Sequence, residues 1–147
     1  MKLNVENIKL RLEKLERYIK ELKKHQKLSR KRFLNNSTVQ LAVERAFQAG
    51  IESCVDIANH IIAVYQLKRP EEQKEVFLIL ARAGYIDDTY ASAMAEMVKM
   101  RNRIVHLYWD IDLERLYQYL KQDTQLLERF RTFVIQLLEA EETENDA

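Results

Sequence analysis

Arg101, Asn102, His106 and Tyr108 bring a guanidinium, a carboxamide, an imidazole and a phenol within eight residues. A permanent cation beside a ring that titrates near neutral pH suits phosphoryl chemistry carried out without a metal. The imidazole can take the proton of an attacking 2′-hydroxyl or return one to the leaving oxygen. The guanidinium can stabilise charge gathering on the phosphorane. On a helix, Asn102 and His106 stand four apart and share a face, so the carboxamide can orient the ring or hold a phosphate oxygen beside it. Arg101 starts ~100° round the helix, but its side chain is long enough to reach back. The same spacing also fits a capping or structural histidine, and Tyr108 beside Trp109 fits a packing aromatic. No second histidine is near in sequence, which leaves room for a site assembled from two subunits.

These groups need helices to place them. Asp87-Asp88 reads as a cap for a helix whose packing positions are Tyr90, Met94, Met97, Val98 and Met100, and the cluster falls where that helix ends. Asp112 reads as the cap of the next helix, and Leu113, Leu116, Tyr117, Leu120, Leu127, Phe130, Val134, Leu137 and Leu138 keep one period to its end. Ile8, Leu12, Leu15, Ile19 and Leu22 form a stripe after a cap at Asn4, with Glu13–Arg17 and Glu16–Lys20 at ion-pair spacing. Thr38 to about Leu67 reads as the central helix, because a wide apolar face rich in Ala42, Ala46, Ala49, Gly50 and Ala58 lets neighbours approach closely. Pro70 fits a first helical position followed by Glu71 and Glu72, and Gly84 fits the residue that ends that helix. With only 2 glycines and 1 proline, the chain reads as all-α: an antiparallel four-helix bundle with an additional short helix. Residues 1–147 form one domain, and the acidic tail from about 139 is expected to fray.

The remaining polar groups divide by pattern. Lys23, Lys24, Lys27, Arg30, Lys31 and Arg32 are either a solvated helix end or a phosphate-contacting patch. Asp56 and His60 have i,i+4 spacing but lack further ligands nearby, so an ordinary polar network is expected there and no metal. Cys54 lies among apolar neighbours and reads as a buried small hydrophobe. No apolar run reaches the ~20 residues of a membrane span, and the N-terminus lacks a signal core. A cytoplasmic protein is expected. The two stripes on the first and central helices offer more apolar surface than a small bundle covers, which predicts a twofold dimer bringing two Arg101–His106 segments together.

Arg101-Asn102-x-x-x-His106-x-Tyr108, at the end of a fourth helix after a Gly84-Tyr85-Ile86-Asp87 turn, resembles the R-x4-H-x-Y motif of HEPN-domain proteins. Within these the chain is most similar to the HepT toxin family, a likeness extended by Ala58-Asn59-His60-Ile61-Ile62. The resemblance implies a HEPN fold and a homodimeric, metal-independent endoribonuclease that needs no cofactor and cuts tRNA or mRNA. Arg101, Asn102 and His106 would be catalytic. It further implies a nucleotidyltransferase (MNT) antitoxin as partner, which attaches AMP to the Tyr108 hydroxyl and silences the toxin. A polar residue of the central helix often supports such sites; Glu52, Asp56 and Asn59 are the candidates, and the sequence does not choose among them. The rival reading is a non-catalytic helical module that binds nucleotide or substrate for a separate nucleotidyltransferase.

Overall fold

The structure, a computed structural model, describes residues 2–106 and 112–146, with side chains at 2–103 and 112–144. Among the described residues there are seven helices and no strand: α1 (Val5–His25), α2 (Arg30–Leu34), α3 (Ser37–Val64), α4 (Glu75–Arg82), α5 (Asp88–His106), α6 (Leu113–Gln122) and α7 (Thr124–Asp146). Short polar side chains start most of them. Asn4, Ser29, Asn36 and Asp112 each accept an orphan N–H of the first turn, and Asp87 takes the Tyr90 N–H at 2.7 Å to start α5.

α3 is the axis of the bundle and touches every other helix. Its close approach to α1 and α7 rests on Gly50, where an added Cβ would lie 3.2 Å from Leu127 Cδ1 and 3.6 Å from Tyr18 Cβ. The α1 stripe from Ile8 to Leu22 is wholly buried, as are Tyr90, Met94, Met97, Val98 and Met100 on α5. Burying a side chain of this size contributes about 1.5–3 kcal/mol each, which fixes α5 rigidly along most of its length.

Three local expectations are corrected. The basic stretch after α1 contains its own short helix, α2, because Ser29 caps it and Phe33 is buried against Tyr117 of α6. Pro70 lies outside any helix; α4 begins only at Glu75, whose carboxylate reaches back to the Glu71 N–H at 3.0 Å. The final helical stretch is broken at Asp123, where the buried Thr124 hydroxyl donates to the Leu120 carbonyl at 2.7 Å. α7 runs to Asp146, and within it Glu141 accepts the Leu3 N–H at 3.1 Å and the Tyr65 hydroxyl at 2.5 Å. The α1 stripe, moreover, is spent on the chain's own core and is not spare surface. The well-exposed large apolar residues of α1 and α3 are instead Val5, Leu10 and Leu41, the last two 62% and 65% exposed.

Candidate active site

The last turns of α5 carry Arg101 half-buried and Asn102 exposed. Arg101 Nη2 donates to the Asn102 side-chain oxygen at 2.7 Å and also to Gln73 Oε1 in the segment before α4. Its Nε is buried and makes no hydrogen bond among the described residues. Nor does Arg101 make an ion pair among them. The hydrogen-bond partners of the guanidinium among the described residues are thus two neutral amides, and the fork keeps donors to spare. A permanent positive charge held by amides is what a phosphorane would need beside it.

Asp56 on α3 lies within electrostatic reach of this charge. Its pKa is raised chiefly by partial burial and by Glu52, while Arg11, Arg101 and Lys14 pull it down. Glu52 lines a groove between α1 and α3 with Arg11, Lys14, Arg45 and Asp56. Asn59, a turn beyond Asp56, lines a separate cavity with Arg69 and Pro70.

His106 ends α5, and the helix backbone puts it one turn beyond Asn102. Its side chain and the whole of Tyr108 lie outside the described residues. The Asp56–His60 pair does not point to a metal site. His60 Nε2 accepts the Asn4 N–H at 3.1 Å, so its lone pair is used in joining α3 to the start of α1. Burial and the nearby Arg11 lower its pKa and keep the ring neutral, against a weaker upward pull from Glu141. Cys54 is fully buried, and burial pushes its thiol pKa far up, so it belongs to the core.

The basic cluster flanks the opposite end of α3. Lys23 pairs with Glu128 at 3.0 Å, and Arg30 grips Glu114 through both Nε and Nη2. Lys24, Lys27, Lys31 and Arg32 are exposed. Two of the six cations thus tie α1 and α2 to α6 and α7.

Sequence reasoning missed Gln73, Arg11 and Lys14. Gln73 sits 28 residues from Arg101 in a segment without periodicity, and no sequence signal marks it. Arg11 and Lys14 are scattered on the polar face of α1, where they look like ordinary solvated cations.

Comparison with known proteins agrees with the family resemblance. A family profile described as ribonuclease HepT-like matches residues 15–134. The tRNA nuclease HepT of Aphanizomenon flos-aquae is 29% identical over 143 residues, covering 95% of each chain. The mRNA nuclease HepT of Shewanella oneidensis is 31% identical over 98 residues, covering 67% of this chain and 74% of that one. Among solved structures, the tri-AMPylated HEPN toxin of Shewanella oneidensis in complex with MNT antitoxin superposes with a TM-score of 0.79 at 27% identity, over 86% of this chain and 95% of that one.

Proposed function

Since the chain belongs to the ribonuclease HepT-like family, we propose that it is the toxin of a toxin–antitoxin pair and cleaves RNA in the cytoplasm by attack of the 2′-hydroxyl on the adjacent phosphorus. The observation that carries this reading is Arg101, a guanidinium held by neutral amides at the end of α5. His106 moves the proton: it takes it from the 2′-hydroxyl or delivers it to the leaving 5′-oxygen, and Arg101 stabilises the phosphorane between these steps. Asn102 holds the guanidinium and binds beside the phosphate, while Asp56 supports the site from α3. No metal is required, because proton transfer and charge stabilisation are both supplied by side chains.

The substrate is RNA, either tRNA or mRNA, the two classes named for the relatives. Lys24, Lys27, Lys31 and Arg32 contact its backbone at one end of the bundle, and Arg11 and Lys14 do so nearer Asp56. Two chains assemble about a twofold axis so that two α5 ends face one cleft; Leu10 and Leu41 offer apolar surface for that contact. The partner is an MNT nucleotidyltransferase, which attaches AMP to Tyr108. A phenol with an ordinary pKa near ~10 is neutral and a weak nucleophile, so it needs a dedicated transferase. The added phosphate then pairs with Arg101 and blocks incoming RNA by charge and bulk.

Three measurements test this. Purified protein should degrade RNA, and intact RNA after incubation would overturn the nuclease reading. Co-expression with the nucleotidyltransferase and ATP should add AMP mass to the wild type and none to Tyr108→Phe. The same added mass on the variant would place the acceptor elsewhere. Light scattering at micromolar concentration should give a dimer.

A further inference from the structure

Two helices of this chain end in the same backbone motif with different residues at the left-handed position. At the end of α4, Gly84 has φ +88°, its N–H reaches the Ala81 carbonyl at 2.9 Å, and the Tyr85 N–H reaches the Leu80 carbonyl at 3.0 Å. At the end of α3, Gln66 has φ +56°, its N–H points to the Ala63 carbonyl at 3.4 Å, and the Leu67 N–H reaches the Ile62 carbonyl at 2.9 Å. Glycine enters this conformation freely, whereas a long side chain is strained there. Gln66 is the one described non-glycine residue with positive φ. A strained residue that a glycine would relieve is a reason to ask what its side chain does.

The Gln66 side chain opens onto a cavity of about 430 Å³ that it shares with Asn59, Ile62, Ala63, Leu67, Arg69 and Pro70. The size lies within the range of small-molecule sites. Its walls are aliphatic, and two carboxamides and one guanidinium stand at its edges. Neither carboxamide makes a side-chain hydrogen bond among the described residues, so donors and acceptors remain open there. Two of the chain segments that line the cavity also carry residues of the candidate site. Asn59 is one turn past Asp56 on α3, and Arg69-Pro70 begin the short segment whose Gln73 holds Arg101.

We propose that this cavity is a subsite for one unpaired nucleobase of the RNA beside the scissile phosphate. The base lies between Ile62, Leu67 and Pro70, the Asn59 and Gln66 carboxamides bond its edge, and Arg69 meets the flanking phosphate. Aliphatic walls with two amide groups among them match the apolar face and polar edge of an extruded base. Sequence or end preference of the nuclease then comes from α3 and the following segment rather than from Arg101 and His106. The inference rests on the ribonuclease reading for its substrate, but binding can be measured apart from cleavage.

The test uses the full-length dimer, a fluorescein-labelled single-stranded RNA, and the same strand with one abasic ribose moved along it. By anisotropy, wild type should lose roughly tenfold in affinity when the abasic site falls at one position, the scale expected of one or two amide hydrogen bonds and a buried base. Asn59→Ala combined with Gln66→Gly should bind the intact strand about as weakly as wild type binds that abasic strand, with no further loss from the lesion. Gln66→Gly alone should unfold at the same temperature as wild type or higher, since glycine accepts the backbone, and this separates binding from folding. Equal affinity of wild type for every abasic strand would overturn the subsite. So would unchanged RNA affinity in the double variant accompanied by loss of the dimer or of nucleotidyltransferase binding, which would make the cavity a protein interface. Wild type that binds but does not cut would defeat the nuclease reading alone, and the abasic comparison would still decide the subsite.

Discussion

The two cationic regions of this molecule hold their charges in opposite ways. At the α1–α2 corner, Lys23 and Arg30 sit on carboxylates, Glu128 and Glu114, and serve to bind helices together. At the end of α5, Arg101 is held by the oxygens of Gln73 and Asn102, which carry no formal charge. A carboxylate partner orients a cation and neutralises it at once; an amide orients it and leaves the field available to a ligand. Position in a basic run is therefore a poorer guide to function than the charge of the group that does the holding.

Removing the cation gives the sharpest contrast. Arg101→Ala should lower RNA cleavage by about 10²-fold or more, the scale of deleting a transition-state donor, without unfolding the chain. Arg30→Ala should change the rate by less than about twofold, because an exposed ion pair contributes little. Single-turnover rates on one RNA check both, and equal losses would erase the distinction.

Converting one environment into the other comes next. Gln73→Glu keeps an acceptor on Arg101 but adds a negative charge, and cleavage should fall about tenfold from partial neutralisation. Wild-type cleavage by Gln73→Glu would show that the amide's neutrality is irrelevant. In the reverse direction, Glu114→Gln with Glu128→Gln frees Arg30 and Lys23, and RNA affinity should rise about two- to fivefold with a steeper salt dependence. Charge reversal at Lys27, Lys31 and Arg32 should flatten that dependence; an unchanged slope would leave the corner as solvated surface.

The smallest effect concerns His60, whose neutral ring accepts the Asn4 N–H. Its folded pKa is depressed, so the unfolded chain binds the extra proton first. The stability it contributes is full above the unfolded pKa near ~6.5 and is lost as pH falls below it. His60→Gln, which keeps an acceptor, should show a shallower decline in unfolding temperature between pH 7.5 and 5.5. Parallel curves would mean the bond contributes nothing that depends on protonation.

How much of this was written in the sequence depends on whether a contact is local. The α1 stripe, the caps at Asn4 and Asp112 and the Gly84 turn were legible because spacing and short polar side chains act within a few residues. The break at Asp123 was hidden, since Leu120 and Leu127 stand seven apart and keep the apolar phase across it. The motif residues Arg101, Asn102 and His106 stood out by type and by family likeness. The choice among Glu52, Asp56 and Asn59 did not, because all three lie on the exposed side of α3 and share one helix. Gln73 was invisible for the same reason: what matters is where the segment before α4 folds, and that is set by tertiary packing.

The most direct test of the account is the chemistry of the cut ends. A labelled RNA is incubated with wild type and with His106→Ala, each in excess EDTA. The account predicts rapid cleavage by wild type leaving 2′,3′-cyclic phosphate and 5′-hydroxyl ends, and a rate lower by about 10²-fold or more for the variant. Equal cleavage by His106→Ala, or activity that EDTA abolishes and a divalent metal restores, would contradict it.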